Sequence, residues 1–319
     1  MRLLPPPPAA VVPGLRAMKM IAARDGALSP AAANLVGGAQ RLLLKSDVAL
    51  DALEPITPAA LAAAIEDPAL RRQLVQGMLI VSLADGPPTA EQMDLVDAFA
   101  EALAVDGPAL RTMRLLADER SVFFRLHFLR HSHLGEVAAR GLRERGLLTP
   151  IKDLMSLRGY YEDAALAARY RALEDLPEDT LGHAFTRYIH SNGFAYPGDK
   201  GGFPEGGIWH DFGHVLSGYG TDPEGELEMV GFQAGYRREN SIYMLLFGAI
   251  TFSAGVNVTP LAQPDTHGIF ARPGLVDRVF RAMDRGANMT TDLFDGWDPW
   301  TCVALPIAEA RARLGVSAY

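Results

Sequence analysis

The chain has 319 residues, of which 49% are hydrophobic, so it can build one large domain or two ordinary ones around a substantial core. Its net charge of −8 argues against a general nucleic-acid-binding protein, which normally carries a basic balance. The single cysteine, Cys302, excludes internal disulfides and cysteine-rich zinc sites, so any metal must be held by histidine and carboxylate side chains. A lone cysteine also fits a reducing cytoplasm, which is the expected location.

Residues 1–29 are predicted to be a disordered, Pro-rich arm. The four consecutive prolines Pro5 to Pro8 favour polyproline-II backbone, and they interrupt the apolar run that a signal peptide needs. The most apolar later run covers residues 241–258 and is about the minimum length for a membrane span. Polar residues and two glycines interrupt it, so we predict a buried helix and its exit.

Residues 30–147 are predicted to form a helical domain without regular strands. Apolar side chains recur at helical spacing, for example Leu70, Leu74, Met78 and Val81, and Thr89 is a suitable N-cap for the helix that follows. The predicted helices cover residues 31–46, 69–84, 90–104, 109–117, 122–131 and 134–145.

The segment Leu79 to Gly86, together with Glu91, resembles the TerB-like tellurite-resistance helical domain, in which an Asp-Gly turn joins two helices. The resemblance covers roughly residues 30–145. Asp85 and Glu91 can be read as a cation site, although a helix stop followed by a helix start is the favoured interpretation.

The second predicted domain, residues 148–319, is also helical, so the fold class is all-α. Helices are expected over residues 160–173 and 180–191, the second ending at Gly193. A loop rich in glycine follows over residues 194–207. Loops of this length are often functional.

The candidate metal site begins directly after that loop. His210 and His214 are four residues apart, which places both imidazoles on one face of a short helix. Asp222 and Pro223 are suited to the N-cap and first position of the next helix. Glu226 then lies in the first turn of that helix, from which it can reach a metal ion held by the two histidines.

A second pair of histidines in the same chain tests how specific this pattern is. His127 and His131 are also four residues apart, with His133 nearby. No aspartate follows the first of them, and no helix start places a downstream glutamate opposite the pair. We therefore interpret these three histidines as structural.

The residues His210, Asp211, His214 and Glu226 match the His-Asp-x-x-His…Glu motif of the coenzyme Q biosynthesis protein 4 family, and the resemblance covers roughly residues 150–290. It implies a mostly helical fold, a metal bound by these four residues and a pocket for an isoprenoid or other apolar aromatic molecule. Members act in ubiquinone biosynthesis, either at the ring carboxyl carbon or as organisers of the other biosynthetic enzymes at a membrane. The chain departs from the family in its Gly-rich loop and its N-terminal domain.

Several alternatives remain open at the level of sequence. The donor set suits Zn²⁺, Mn²⁺ or Fe²⁺. The resemblance implies Zn²⁺, with Fe²⁺, Mn²⁺ or Mg²⁺ as options. Asp211 is either a fourth ligand or a catalytic general base, and a metal-dependent hydrolase or a metal-stabilised lipid-binding scaffold are the alternatives to a lyase or oxidative decarboxylase. Arg237 is a candidate catalytic residue that binds a substrate carboxylate, although a solvated position beside Glu239 is favoured. Peripheral contact with the inner membrane and a homodimer are further expectations.

Overall fold

The computed structural model describes residues 2–23, 26–258 and 266–317. Within these ranges the chain forms sixteen α-helices and no strand, which confirms the all-α prediction. The first eight are α1 to α8, at Pro8–Ala22, Pro30–Gly38, Pro58–Ala64, Pro68–Val81, Ala90–Ala102, Pro108–Ala117, Ser121–His131 and His133–Arg145. The remaining eight are α9 to α16, at Thr149–Leu157, Ala164–Arg171, Leu181–Asn192, Trp209–Ser217, Pro223–Tyr236, Ile242–Gly248, Leu275–Ala287 and Ile307–Leu314.

The helix α1 contradicts the prediction that residues 1–29 are disordered. Pro8 occupies the first position of α1, where the missing N–H is not needed and the fixed φ angle favours the helix. Leu15 and Ile21 on α1 are buried in the main apolar core. Packing against α4 therefore orders a segment whose composition alone favours an extended backbone. Residues 1, 24 and 25 of the predicted arm lie outside the described residues.

Local signals at helix ends predict several boundaries correctly. Thr89 and Gln92 form a reciprocal capping box at the start of α5, and Gly193 ends α11 in the left-handed conformation at φ 67°. In the Asp-Gly turn between α4 and α5, the carboxylate of Asp85 accepts a hydrogen bond from the hydroxyl of Ser29 at 2.6 Å. The helix expected to start at residue 160 begins only at Ala164, because the Asp163 side chain caps it there.

The helix α13 connects the two halves of the chain. Eleven of its fourteen residues are buried. Leu227 belongs to the apolar core that is built mainly from α1 to α7, whereas Met229 and Phe232 belong to a second core with α11, α12 and α16. A helix that is buried on all sides fixes the orientation of whatever side chains it carries. The predicted domain boundary between residues 147 and 148 stays a prediction, and the first core contains residues from both sides of it.

The apolar run over residues 241–258 folds as α14 followed by a π-helical turn, Ala249–Ser253. Its residues are largely buried against the N-terminal helices, as predicted. No helix in the described part of the chain is long and apolar enough to cross a membrane.

Candidate metal centre

The side chains of the candidate site are held by α12 and the first turn of α13. The short helix α12 starts after the turn Glu205–Gly207 and ends at Gly218, which adopts a left-handed conformation at φ 83°. Asp222 caps α13 by accepting a hydrogen bond from the amide of Gly225 at 2.7 Å. This cap starts α13 at Pro223 and places Glu226 beside α12, as the sequence predicted.

Three ligand atoms converge between these helices. The Nε2 atoms of His210 and His214 are 3.1 Å apart, and they lie 3.5 and 3.4 Å from the two carboxylate oxygens of Glu226. Zinc bonds of about 2.0–2.2 Å at tetrahedral angles would separate ligand atoms by about 3.3–3.6 Å. His214 is fully buried, whereas His210 and Glu226 keep about a quarter of their side-chain surface exposed. The geometry therefore fits one tetrahedral ion with a side open to solvent.

Hydrogen bonds to the far nitrogens orient both imidazoles. Nδ1–H of His214 donates to the carbonyl oxygen of Tyr219 at 3.1 Å, so Nε2 of His214 presents its lone pair to the site. Nδ1 of His210 lies 2.8 Å from the side-chain amide of Gln233. With the amide nitrogen toward it, Nδ1 accepts and Nε2–H of His210 donates to His214. A 180° turn of the amide reverses the proton on His210 and frees Nε2 as a ligand.

A proton would compete with a metal ion for this site. Burial disfavours the imidazolium of His210, but the adjacent carboxylates of Glu226 and Asp211 together outweigh burial and raise the pKa of His210. Burial would raise the pKa of Glu226, but the charge of His210 and the proximity of both imidazoles lower it to about 2. In the metal-free protein the ion pair stabilises the fold between the ordinary values of 4.5 and 6.5. That stabilisation is lost as the pH falls toward 2 or rises through the raised pKa of His210.

Asp211 is buried beside this site but is directed differently from the three ligand residues. The atoms of His210, His214 and Glu226 that could bind a metal lie within 4.8 Å of one another, and no carboxylate oxygen of Asp211 belongs to this group. Asp211 accepts a hydrogen bond from the hydroxyl of Tyr188. Burial raises the pKa of Asp211, although the charges of His210 and His214 oppose the rise. Its role as fourth ligand or as general base stays a prediction.

Arg237 is buried, so the interpretation that it is solvated is wrong. Its Nη2 donates to Glu136 at 2.8 Å, and Asn240 donates to the other oxygen of Glu136 at 3.0 Å. The guanidinium also lies 3.9 Å from the ring centroid of Phe294. The charge of Arg237 is thus offset by Glu136, and a substrate carboxylate would have to compete with this ion pair. The catalytic role of Arg237 stays a prediction.

Three side chains near the site had no functional assignment from the sequence. Gln233 lies on the ligand face of α13 by spacing, but only the packing of α13 on α12 shows that it holds His210. Tyr188 stacks on His214 with the ring centroids 5.7 Å apart. His133 comes from α8 and packs edge-on against Trp209; burial lowers the pKa of His133 to about 3, so it is neutral. No sequence signal connects His133 to α12.

The pair His127 and His131 provides an internal comparison. Their rings lie 4.3 Å apart, and Nδ1 of His127 bonds to the hydroxyl of Thr112 at 2.9 Å. No carboxylate completes a metal-binding group with them among the described residues, where His210, His214 and Glu226 form such a group. The pair therefore serves as a control for the metal site.

A cavity of about 180 Å³ lies between the N-terminal helices and the central helix α13. Its lining is apolar except for two glutamines, and Gln73 exchanges two 2.8 Å hydrogen bonds with the backbone of Leu4 at the cavity's edge. Leu227 and Val230 on α13 form part of the wall. An engineered apolar cavity of about 150 Å³ stays dry and binds benzene, so this cavity suits an apolar occupant.

No protein-family model matches this chain, and no similarity to a curated protein was found. The resemblances to the TerB-like and coenzyme Q biosynthesis protein 4 families stay predictions from the motif residues given above.

Proposed function

We propose that His210, His214 and Glu226 bind one divalent metal ion, with Zn²⁺ favoured, in an enzyme of ubiquinone or related prenylated-ring biosynthesis. The convergence of two imidazole nitrogens and a carboxylate at 3.1–3.5 Å carries the proposal. When bound, the ion supplies Lewis-acid chemistry that stabilises negative charge on a substrate oxygen. The resemblance to coenzyme Q biosynthesis protein 4 selects the ring carboxyl carbon as the reacting position.

Catalytic rather than purely structural use of the metal is supported by the number and exposure of its ligands. Structural zinc sites are usually closed by four protein ligands, whereas catalytic sites use three and leave one position open. Here three side chains converge, and two of them remain partly exposed. This observation favours an enzyme over the lipid-binding scaffold.

The proposed reaction is the decarboxylation of an aromatic acid. The bond between the ring and the carboxyl carbon breaks, CO₂ leaves with two oxygens, and the ring carbon takes one proton in its place. Asp211 is proposed as the proton donor, because its burial raises the carboxyl pKa and Tyr188 holds the side chain in place. No oxidant is needed for this form of the reaction.

The apolar cavity beside α13 supports a prenyl chain as part of the substrate. Its wall includes Leu227, which directly follows the ligand residue Glu226. A prenylated ring partitions into bilayers, so the proposal places the protein at a membrane surface, where it can meet other enzymes of the pathway. The proposal also keeps the TerB-like arrangement for residues 30–147.

The direct test is to load the purified protein with Zn²⁺ and incubate it with a prenylated 4-hydroxybenzoate. Mass spectrometry should show loss of one CO₂ with the wild type and none with His214→Ala, while circular dichroism shows that the variant is folded. Turnover that is equal in both proteins would contradict the proposal, as would a wild type that holds the metal and the prenylated acid without converting it.

The affinity for Zn²⁺ should depend on pH because the ion displaces a proton from His210. We expect the affinity to rise about tenfold per pH unit below the raised pKa of His210 and to level off above it. Competition titrations with a chromogenic chelator at several pH values measure this slope. A flat profile below pH 7 would show that His210 is not a ligand.

Gln233 should matter for metal affinity although it does not touch the ion. Replacing it by leucine removes the hydrogen bond that orients His210, and loss of such a partner typically weakens metal binding by about 10–100-fold. Gln73→Leu is the matched control, because Gln73 lies on α4, a different helix from those of the candidate site, and its side chain exchanges hydrogen bonds with the backbone of Leu4. Chelator competition measures both affinities. If Gln233→Leu bound Zn²⁺ as tightly as Gln73→Leu and the wild type, the proposed role of Gln233 in orienting His210 would be wrong.

A further inference from the structure

The helix α9 has its apolar side exposed and its polar side buried. Ile151, Leu154 and Met155 share one face by their spacing, and all three are exposed, Ile151 at 57%. Thr149 and Ser156 on the other side are buried. Leu147 and Leu148, directly before α9, are exposed at 84% and 62%. We call Leu147, Leu148, Ile151, Leu154 and Met155 the α9 surface. Patches of this kind mark interaction sites rather than ordinary solvent-exposed surface.

The α9 surface lies in a basic part of an acidic protein. Residues 120–158 contain eight arginines and lysines and three acidic residues, a balance of +5, while the whole chain carries −8, so the remainder carries −13. Arg143, Lys152 and Arg158 are exposed on and around α9. The helix α7, in the same basic segment of the chain, repeats the combination, with exposed Phe123 and Leu126 beside exposed arginines.

The combination of exposed apolar side chains with arginines and lysines indicates what kind of partner binds the α9 surface. A symmetric dimer through the α9 surface would place the same basic residues of two copies against each other, which like charges disfavour. An anionic bilayer accepts apolar side chains below its headgroups and attracts arginines and lysines at the headgroup level. We propose that the α9 surface docks the protein onto a membrane that contains anionic lipids.

The α9 surface is connected to the candidate metal centre through the Gly-rich loop. The carbonyl oxygen of Ser156 accepts a hydrogen bond from the amide of Gly201 at 2.8 Å, and the Ser156 hydroxyl donates to the carbonyl oxygen of Asp199 at 3.3 Å. Later in the same loop, the ring of Phe203 lies 6.4 Å from that of His210. In this arrangement an apolar substrate that leaves the bilayer at α9 would pass along this loop toward the candidate metal centre. This delivery role rests on the proposed function, whereas docking itself does not.

Cosedimentation with vesicles tests the proposal. The 319-residue chain is mixed with vesicles of phosphatidylcholine alone or with about one third phosphatidylglycerol. Binding should require the anionic lipid and decrease with salt. Leu154→Glu should abolish it, whereas Val12→Glu, a change at an exposed valine on α1, should not. Lys152→Glu should weaken binding at least about fivefold, whereas Arg281→Glu on α15 should not.

Three outcomes would overturn the proposal. The first is an absence of binding to anionic vesicles, and the second is binding that Leu154→Glu leaves unchanged while circular dichroism shows a native helix content. The third is a wild-type dimer that Leu154→Glu converts to a monomer in light scattering, which would identify a second copy as the occupant. His214→Ala should bind vesicles as the wild type does, so failure of the metal proposal and failure of docking give different results.

Discussion

Replacing Gly235 by alanine is expected to destabilise the protein by about 3 kcal/mol, which is at the upper end for overpacking. Gly235 lies where α13 crosses α15 at close range. A Cβ atom there would sit 2.2 Å from the carbonyl oxygen of Met283 and 2.7 Å from the amide nitrogen of Ala287. Both neighbours are backbone atoms of α15, so the two helices must move apart to accommodate one methyl group.

Urea denaturation measures the change in unfolding free energy, and the sign of that change distinguishes overpacking from helix propensity. Helix propensity alone would make alanine about 1 kcal/mol more stable than glycine inside α13. Gly220→Ala is the control, because a Cβ atom at Gly220 meets nothing within 4 Å. Its unfolding free energy should stay within about 0.5 kcal/mol of the wild type. A Gly235→Ala variant as stable as the wild type would mean that α13 and α15 do not pack as closely as the structure shows.

Replacing Glu226 by glutamine is expected to remove the stabilisation that Zn²⁺ gives the wild type. A ligand that binds only the folded state adds about 2.7 kcal/mol to the unfolding free energy at a free concentration of about 100 times Kd. Glu226→Gln keeps the shape of the side chain but loses the anionic ligand, so the same Zn²⁺ concentration should give almost no stabilisation. Thermal denaturation with and without Zn²⁺ measures the difference.

The control for this experiment is His131→Ala, which changes the histidine pair that lacks a carboxylate. It should keep the full response to Zn²⁺, even if its metal-free stability is lower. If Glu226→Gln responded to Zn²⁺ as strongly as the wild type, Glu226 would not be a ligand. If His131→Ala lost the response, the ion would bind at the wrong pair of histidines.

Features determined by short-range chemistry could be predicted from the sequence. The cap at Asp222 and the proline after it start α13, and together with the turn at Gly218 this local signal places Glu226 beside the two histidines. The glycine at residue 193 ends α11 for an equally local reason, since its left-handed backbone favours glycine. The three proposed ligands depend on such local signals, which explains why their convergence could be predicted.

Features that depend on distant packing could not be predicted. The burial of Arg237 is compensated by Glu136 on α8, and no spacing rule connects these two residues. The helix α1 forms because α4 covers it, although its four-proline start favours an extended chain. No helix was predicted where α9 lies, and α9 exposes its apolar face, although an amphipathic helix ordinarily buries that face in the core.

The most direct test of the metal centre is elemental analysis of the protein purified without chelators. The proposed function predicts close to one equivalent of a divalent metal, with zinc favoured, in the wild type and in His131→Ala. It predicts only traces in His210→Ala. A wild type that contains no more metal than His210→Ala would contradict the assignment of His210, His214 and Glu226 as a metal centre.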